Sequence, residues 1–454
     1  MTGSLDQRFA EAIGAALGPD FPTDIALAVS GGGDSMAMLT LAHNWTRVWG
    51  LRLWVVTVDH GLRPEAATEA AMVAEECAAL GHSHAVLRWH WDGQGNLMDA
   101  ARRARLDLIN RWRGGISHVL MAHTADDLAE TFLMRLARGA GVEGLSAMAP
   151  LRRVRLPGAV LPLPAADVTG ACPPQPATRA AEFSVLRPCL DMHRAELRHY
   201  LRTLRGRWVE DPSNDDPAYD RVRMRHLLTT LAPQGLGPDI LAEAARRQAR
   251  AAEALRARAA QVWEALRPPA AGARAREGEI LFDRAGFQDV ERDTQLRLLA
   301  AALRFVAGAA YPPREAPLEA LLDRLLGGGG GTLHGCEARC DRDHLVVFRE
   351  LAAVEGPVRL GDAPVLWDGR WQVFRPDLKG LTLRALGEEG WRQRPPGQEP
   401  QRPHASARSC PAVFDGDRLV ACDVFGPDAG AAPLAQFCPF GRQMPSFGSF
   451  LLSR

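Results

Sequence analysis

The chain carries one lysine, Lys379, among 454 residues, so nearly all of its 54 Lys and Arg side chains are arginine. This excludes a Walker A phosphate loop, whose G-x-x-x-x-G-K-[ST] needs a lysine beside the glycines. No apolar stretch approaches the ~20 residues of a membrane-spanning helix. The first 18 residues carry acids and lack a basic start followed by an apolar core, so no secretory signal is expected. The cysteines, at 77, 172, 189, 336, 340, 410, 422 and 438, contain no C-x-x-C pair. Only Cys336 and Cys340 cluster, near His334 and His344, and their spacing is wrong for a zinc ribbon or knuckle. Reduced thiols in a cytosolic protein are the expectation. Net charge is absent too, with 54 basic and 54 acidic side chains. That argues against a protein that simply coats nucleic acid, but leaves room for local basic patches.

What is present is concentrated in Ser30-Gly31-Gly32-Gly33-Asp34-Ser35. These residues follow an apolar strand-like run, Ile25 to Val29. They open a helical pattern in which Met38, Leu41, Ala42 and Trp45 recur at i, i+3, i+4 and i+7. A glycine-rich turn between strand and helix aims several backbone N–H groups at one point, where the helix dipole adds positive charge, and so holds phosphate. Ser30 and Ser35 add hydroxyl donors, and Asp34 adds a carboxylate suited to Mg²⁺. The plain alternative is a Gly/Ser turn capped by Asp34. The six residues resemble the S-G-G-x-D-S signature of the PP-loop ATP pyrophosphatases, which split ATP into AMP and pyrophosphate.

Residues 25 to about 138 alternate strand and helix, with strands expected at Ile25–Val29, Leu53–Val58, Ala85–Trp89 and Val119–Ala122. This rhythm predicts a parallel sheet covered on both faces, with ligands beyond the carboxyl ends of its strands. Pro/Ala-rich sequence from Pro150 to Ala181 reads as a long loop. Helices are expected from Tyr219 to Leu326, the first of them rich in arginine, and Gly327–Gly331 reads as a flexible connection. Short alternating runs follow. The fold class is α/β, with a parallel-sheet nucleotide-binding domain at 1–216, a helical middle domain at 217–326 and a small α/β or β-rich C-terminal domain at 332–454.

Three further segments carry candidate residues, and two of them, at Asp59-His60 and at His123, fall at the same strand ends. Asp59-His60-Gly61-Leu62-Arg63 offers an acid for nucleotide or metal, although a turn into a helix at Pro64-Glu65 explains it as well. Arg102 and Arg105 share a helix face and could clamp phosphate, or simply face solvent. In His123-Thr124-Ala125-Asp126-Asp127, a capping box accounts for Thr124 and Asp127 but not for His123. Asp126 and Glu130, one turn apart, could serve a metal or nucleotide.

Together with Ser30–Ser35, three stretches are similar to the tRNA(Ile)-lysidine synthetase family. They are Val58 to Arg63, Ala122 to Gly139, and Trp208-Val209-Glu210-Asp211-Pro212-Ser213-Asn214. The similarity spans about residues 20 to 230. The chain departs from the family pattern at Val222, where asparagine is usual between two arginines, and at Leu106, where an aromatic often stands.

The resemblance implies ATP-dependent addition of free L-lysine to C2 of the wobble cytidine in tRNA(Ile) with a CAU anticodon. The base would be adenylated with loss of pyrophosphate, and the lysine amine would then expel AMP. It implies ATP and Mg²⁺ as cofactors, with Ser30, Gly31, Gly32, Gly33, Asp34, Ser35 and Asp59 binding nucleotide and Asp34 holding the metal. His123 with Arg102 or Arg105 would stabilise developing charge, and Asp126 would accept a proton or bind ammonium. Arg246, Arg247, Arg250, Arg256 and Arg258 share a broad helix face, suited either to the tRNA backbone or to solvent. Arg221, Arg223 and Arg225 suit RNA or internal pairing equally. Alternatives are a tRNA thiolase on the same fold, against which stands the lone Cys77 in the first 150 residues, and a non-catalytic tRNA-binding relative. No ammonia-supplying domain for an amidotransferase is evident. No membrane association is expected. Oligomeric state stays open, a homodimer being one option.

Overall fold

The alternating pattern of the first 190 residues builds a seven-stranded sheet. The structure, a computed structural model, describes residues 3–62, 65–155, 161–176, 180, 182–210, 218–268, 276–426, 433–441 and 446–453. The chain forms two compact units, Met1–Ala252 and Glu253–Arg454.

In the first unit the elements run α1 (Leu5–Leu17), β1 (Asp24–Ala28), α2 (Gly33–Trp49), β2 (Arg52–Asp59), α3 (Ala66–Leu80), β3 (Ser83–Arg88), α4 (Leu97–Trp112), β4 (His118–Met121), α5 (Ala125–Leu136), α6 (Val142–Leu145), β5 (Leu151–Arg155), β6 (Val168–Gly170), β7 (Glu182–Leu186), α7 (Arg194–Thr203), α8 (Asp220–Leu231) and α9 (Pro238–Leu266). The sheet order is β5-β7-β4-β1-β2-β3-β6. β7, β4, β1, β2 and β3 are parallel, and the edges β5 and β6 run antiparallel to them.

β1 is central, and its register sets Leu27 beside both Val55 and Leu120. Its side chains alternate between two cores. Ile25 and Leu27 pack with Met38, Leu41 and Trp45 of α2, Val73 of α3 and Leu197 of α7. Ala26 packs on the opposite face with Val56, Leu87 and Leu108, Ile109 and Trp112 of α4. Burial on both faces explains the unbroken apolar runs of the parallel strands.

Two expectations are corrected. The Pro150–Ala181 stretch is more than a loop, because it supplies both antiparallel edge strands. β5 reads Leu-Arg-Arg-Val-Arg and buries only Val154, so its periodicity is faint. Gly327–Gly331 is not a free connection. It ends the helix Glu315–Leu326 and enters an edge strand, β9 (Gly330–Leu333), paired with β10 (Cys336–Cys340). A Cβ on Gly330 would lie 2.6 Å from the Ala338 carbonyl oxygen, so close backbone approach accounts for the glycine.

β9 belongs to an antiparallel sheet with β8 (Ile280–Asp283), β10 and β11 (His344–Arg349), packed against the helices Arg292–Ala307 and Glu315–Leu326. Two smaller antiparallel sheets complete the β-rich second unit. The expected boundary between 216 and 217 falls among the undescribed residues 211–217. The division between the two compact units falls inside α9, at Ala252.

Candidate active site

Ser30 to Ser35 join the end of β1 to the start of α2. Gly31 has φ +84°, a left-handed conformation that favours glycine. No side chain caps α2 at Gly32, so the amides of its first turn stay available to a ligand. Ser35 faces inward and braces the turn. Its hydroxyl donates to the Gly32 carbonyl at 2.9 Å and accepts from the Ser30 N–H at 3.2 Å.

The turn is held from outside by Trp208-Val209. The Val209 N–H donates to the Gly31 carbonyl at 2.9 Å, and Val209 forms a parallel bridge with Gly32. A Cβ on Gly33 would lie 3.4 Å from Arg198 and 3.5 Å from Trp208. The remainder of that motif, Asp211 to Asn214, lies outside the described residues, as does Arg63.

A cavity of about 510 Å³ opens over this turn, with Ser30, Asp34, His60, Arg105, His123 and Arg221 among its lining. On one wall, carboxylates and guanidiniums interlock. Arg194 donates to Asp34 Oδ2 at 3.3 Å, to Asp127 Oδ1 at 3.1 Å and to Glu130 Oε1 at 3.1 Å. Arg221 donates to Glu130 Oε2 at 2.8 Å and to Asp127 Oδ1 at 3.1 Å. Arg225 adds a bond to Glu130 Oε1 at 3.1 Å. Glu130 is wholly buried and survives as an ion-pair partner because three guanidiniums surround it. Internal pairing thus answers the question left open for Arg221 and Arg225, and Arg223 pairs with Asp220.

The electrostatics differ among the acids. Burial raises the Asp34 pKa, Arg194 opposes this and Asp127 adds to it, and Asp34 Oδ1 is buried with no hydrogen-bond partner. Burial also disfavours the Asp127 charge, but Arg221, Arg194 and His123 outweigh it and its pKa falls. His123 and His60 are both pushed down to about 4, chiefly by burial; nearby arginines add to this, while Asp127 opposes it at His123 and Asp59 opposes it at His60. Both are therefore neutral at pH 7, each with an Nδ1 that has no partner. Arg105 is accessible to water through the cavity mouth yet enclosed by its walls. That enclosure, with Arg102 and Arg221, lowers its pKa; an arginine remains charged regardless.

Among the expected site residues, Ser30, Gly32, Gly33, Asp34, Ser35, Arg105 and His123 line this one cavity. Gly31 shapes it from behind. Asp59, Arg102 and Asp126 do not line it. Asp59 turns back to accept the Gly61 N–H at 2.8 Å, and its neighbour His60 faces the cavity instead. Asp126 accepts the Arg194 N–H at 2.8 Å at the start of α7. Arg102 is exposed one turn before Arg105.

Arg194 and Arg198 were not foreseen. A signal existed for the first: an arginine in the opening turn of a helix opposes the dipole, so another interaction has to hold it there. The arginines of α9 are partly neutralised, since Glu243 pairs with Arg247 at 3.1 Å and with Arg246 and Arg250 at 3.7 Å.

For a cation, no group of three or more ligand-type acidic, histidine or cysteine side chains gathers among the described residues. One carboxylate with a spare oxygen beside a glycine-rich turn with uncapped amides nevertheless suits Mg²⁺, which takes one or two carboxylates and fills its shell with phosphate and water.

Comparison with known proteins follows the same outline. The profile of the PP-loop domain family matches residues 5–232. A tRNA(Ile)-lysidine synthase of Ruegeria pomeroyi is 39% identical over 408 residues, 89% of each chain. One from a Bradyrhizobium species is 41% identical over 66% of this chain and 79% of its own. One from Hyphomonas neptunium is 35% identical over 80% of this chain and 90% of its own.

Proposed function

The chain belongs to the tRNA(Ile)-lysidine synthase family, and from that membership we propose how its cavity carries out ATP-dependent lysidine formation on tRNA(Ile). The reaction adds lysine to C2 of the wobble cytidine in two steps. The C2 oxygen attacks the α-phosphorus of ATP and pyrophosphate leaves. The lysine amine then attacks C2, one proton is released and AMP departs.

Both steps move charge between phosphate and base, so catalysis rests on positioning and on fixed donors. The amides at the head of α2, with Ser30, take the pyrophosphate portion. Asp34, through its unpartnered Oδ1, would hold Mg²⁺, which would supply neutralisation of phosphate charge. Arg105 faces the anionic phosphates across the cavity. His123, neutral at pH 7, contributes a hydrogen bond and no positive charge. Asp126 has a positioning role, because its bond to the Arg194 N–H fixes the start of α7 and with it the guanidinium that reaches Asp34. Free L-lysine is the amine donor.

The observation that carries the assignment is the uncapped, glycine-lined turn with an unsatisfied buried carboxylate oxygen beside it. Thiolase chemistry is not favoured. Such enzymes need reactive cysteines, whereas burial pushes the Cys77 thiol up to about 12 and the buried Cys189 higher still, and the exposed Cys172 thiol is raised as well. The test is incorporation of radiolabelled lysine into tRNA(Ile) bearing CAU. It should require ATP and vanish in Asp34→Ala while the variant keeps its fold; undiminished incorporation by that variant would overturn the site assignment.

A further inference from the structure

The loop from β3 to α4 lies on the same rim and carries an aromatic that the reaction described above leaves unused. The loop is anchored at its start, where the Trp89 N–H donates to the Asp59 carbonyl at 2.9 Å. The Trp89 ring meets His60 of the cavity edge-on, with centroids 5.6 Å apart. Two residues further on, Trp91 is 45% exposed. Its indole N–H donates back to the Gln94 carbonyl at 3.4 Å, and Gly93 and Gly95, at φ +80° and +74°, fold the loop around it. The polar edge of the indole is thus occupied within the loop while much of its apolar surface meets water. Leu62, after β2, and Met98, in the first turn of α4, are also exposed at these strand ends. Next along α4 come Arg102, which is exposed and makes no ion pair among the described residues, and Arg105, which lines the cavity.

Aromatic faces next to guanidiniums match single-stranded RNA, whose bases stack and whose phosphates are anionic. Drawing a cytidine into the cavity strips the neighbouring base of a stacking partner. Resting on the assignment of the cavity to the wobble base, we infer that Trp91 is a stacking platform for an unpaired anticodon-loop base adjacent to the reacting cytidine, with Arg102 on the flanking phosphate. The indole replaces the stacking that the loop loses. Gln94 and the two glycines hold it ready, so little ordering remains to be done on binding.

The test uses the full-length enzyme and lysine incorporation. Trp91→Ala should raise KM for tRNA roughly 5- to 150-fold, the range of one lost base–aromatic stack. KM for ATP and kcat should stay within about twofold, and Trp91→Phe should restore most of the loss. A tRNA with an abasic nucleotide beside the wobble position should impair wild type by a similar factor and impair Trp91→Ala little further. An unchanged KM for tRNA in Trp91→Ala refutes the platform, as does an equal Trp91→Ala penalty on intact and abasic tRNA. Either result in an active wild-type enzyme leaves the assigned reaction standing. Failure of the wild-type protein to make lysidine would instead remove the reading on which the inference rests.

Discussion

Removing the Glu130 carboxylate is the sharpest test of how the cavity wall is built. The side chain is fully buried and accepts hydrogen bonds from three guanidiniums, at 3.1, 2.8 and 3.1 Å. Breaking a buried ion pair by deleting one partner costs about 3–5 kcal/mol, because the remaining charge keeps its desolvation penalty. Here the arginine side chains retain 17%, 34% and 29% exposure, and Asp127 still holds two of them. The lower end, about 3 kcal/mol, is therefore expected for Glu130→Ala. In a unit of this size that lowers Tm by roughly 6–12 °C. Glu130→Gln keeps an acceptor without the charge and should lose less, about 2 kcal/mol. The two units can unfold separately, so the relevant step is the denaturation transition that ATP shifts upward. If that transition moves by less than about 1 kcal/mol in Glu130→Ala, the three arginines do not depend on this carboxylate and the account of the wall is wrong.

Two other outcomes follow from the geometry. Gly31→Ala forces an L side chain to φ +84°, although the nearest side-chain atom, on Met72, is an ordinary 3.6 Å from the new Cβ. The cost is backbone strain of about 1–2 kcal/mol. Urea denaturation should show it, together with a raised KM for ATP, whereas Gly32→Ala, whose Cβ would meet only Ser30 Oγ at an ordinary 3.7 Å, should keep wild-type stability. The second outcome concerns pH. Burial lowers His84 to about 4, and its Nε2 lies 2.9 Å from Thr57 Oγ1. Because the folded pKa lies below the unfolded one, the unfolded chain binds the extra proton. The contribution is therefore full above about 6.5 and is lost as pH falls toward 4, by at most about 3 kcal/mol. His84→Gln should flatten the stability profile of the first unit over that interval, and an unaltered profile would refute the assignment.

The parallel sheet was legible in the sequence because each strand is buried on both faces and flanked by periodic helices, which leaves apolar runs too regular to overlook. So was the glycine-rich turn, since the positive φ at Gly31 favours glycine and the motif stands between an apolar strand and a periodic helix. The edge strands β5 and β9 were not, because β5 buries a single side chain and β9 none fully, so their patterns blend into loops. The cavity wall depended on tertiary structure. Arg194 lies 160 residues beyond Asp34, and no local periodicity records that a guanidinium from α7 reaches three carboxylates from α2 and α5. Strand alternation likewise turned Asp59 back onto its own loop and sent His60 to the cavity. Local chemistry, written in glycines and apolar spacing, was set by sequence alone. Which charges meet, which stay neutral and which aromatic faces water were decided by packing, because burial and partner distance govern all three.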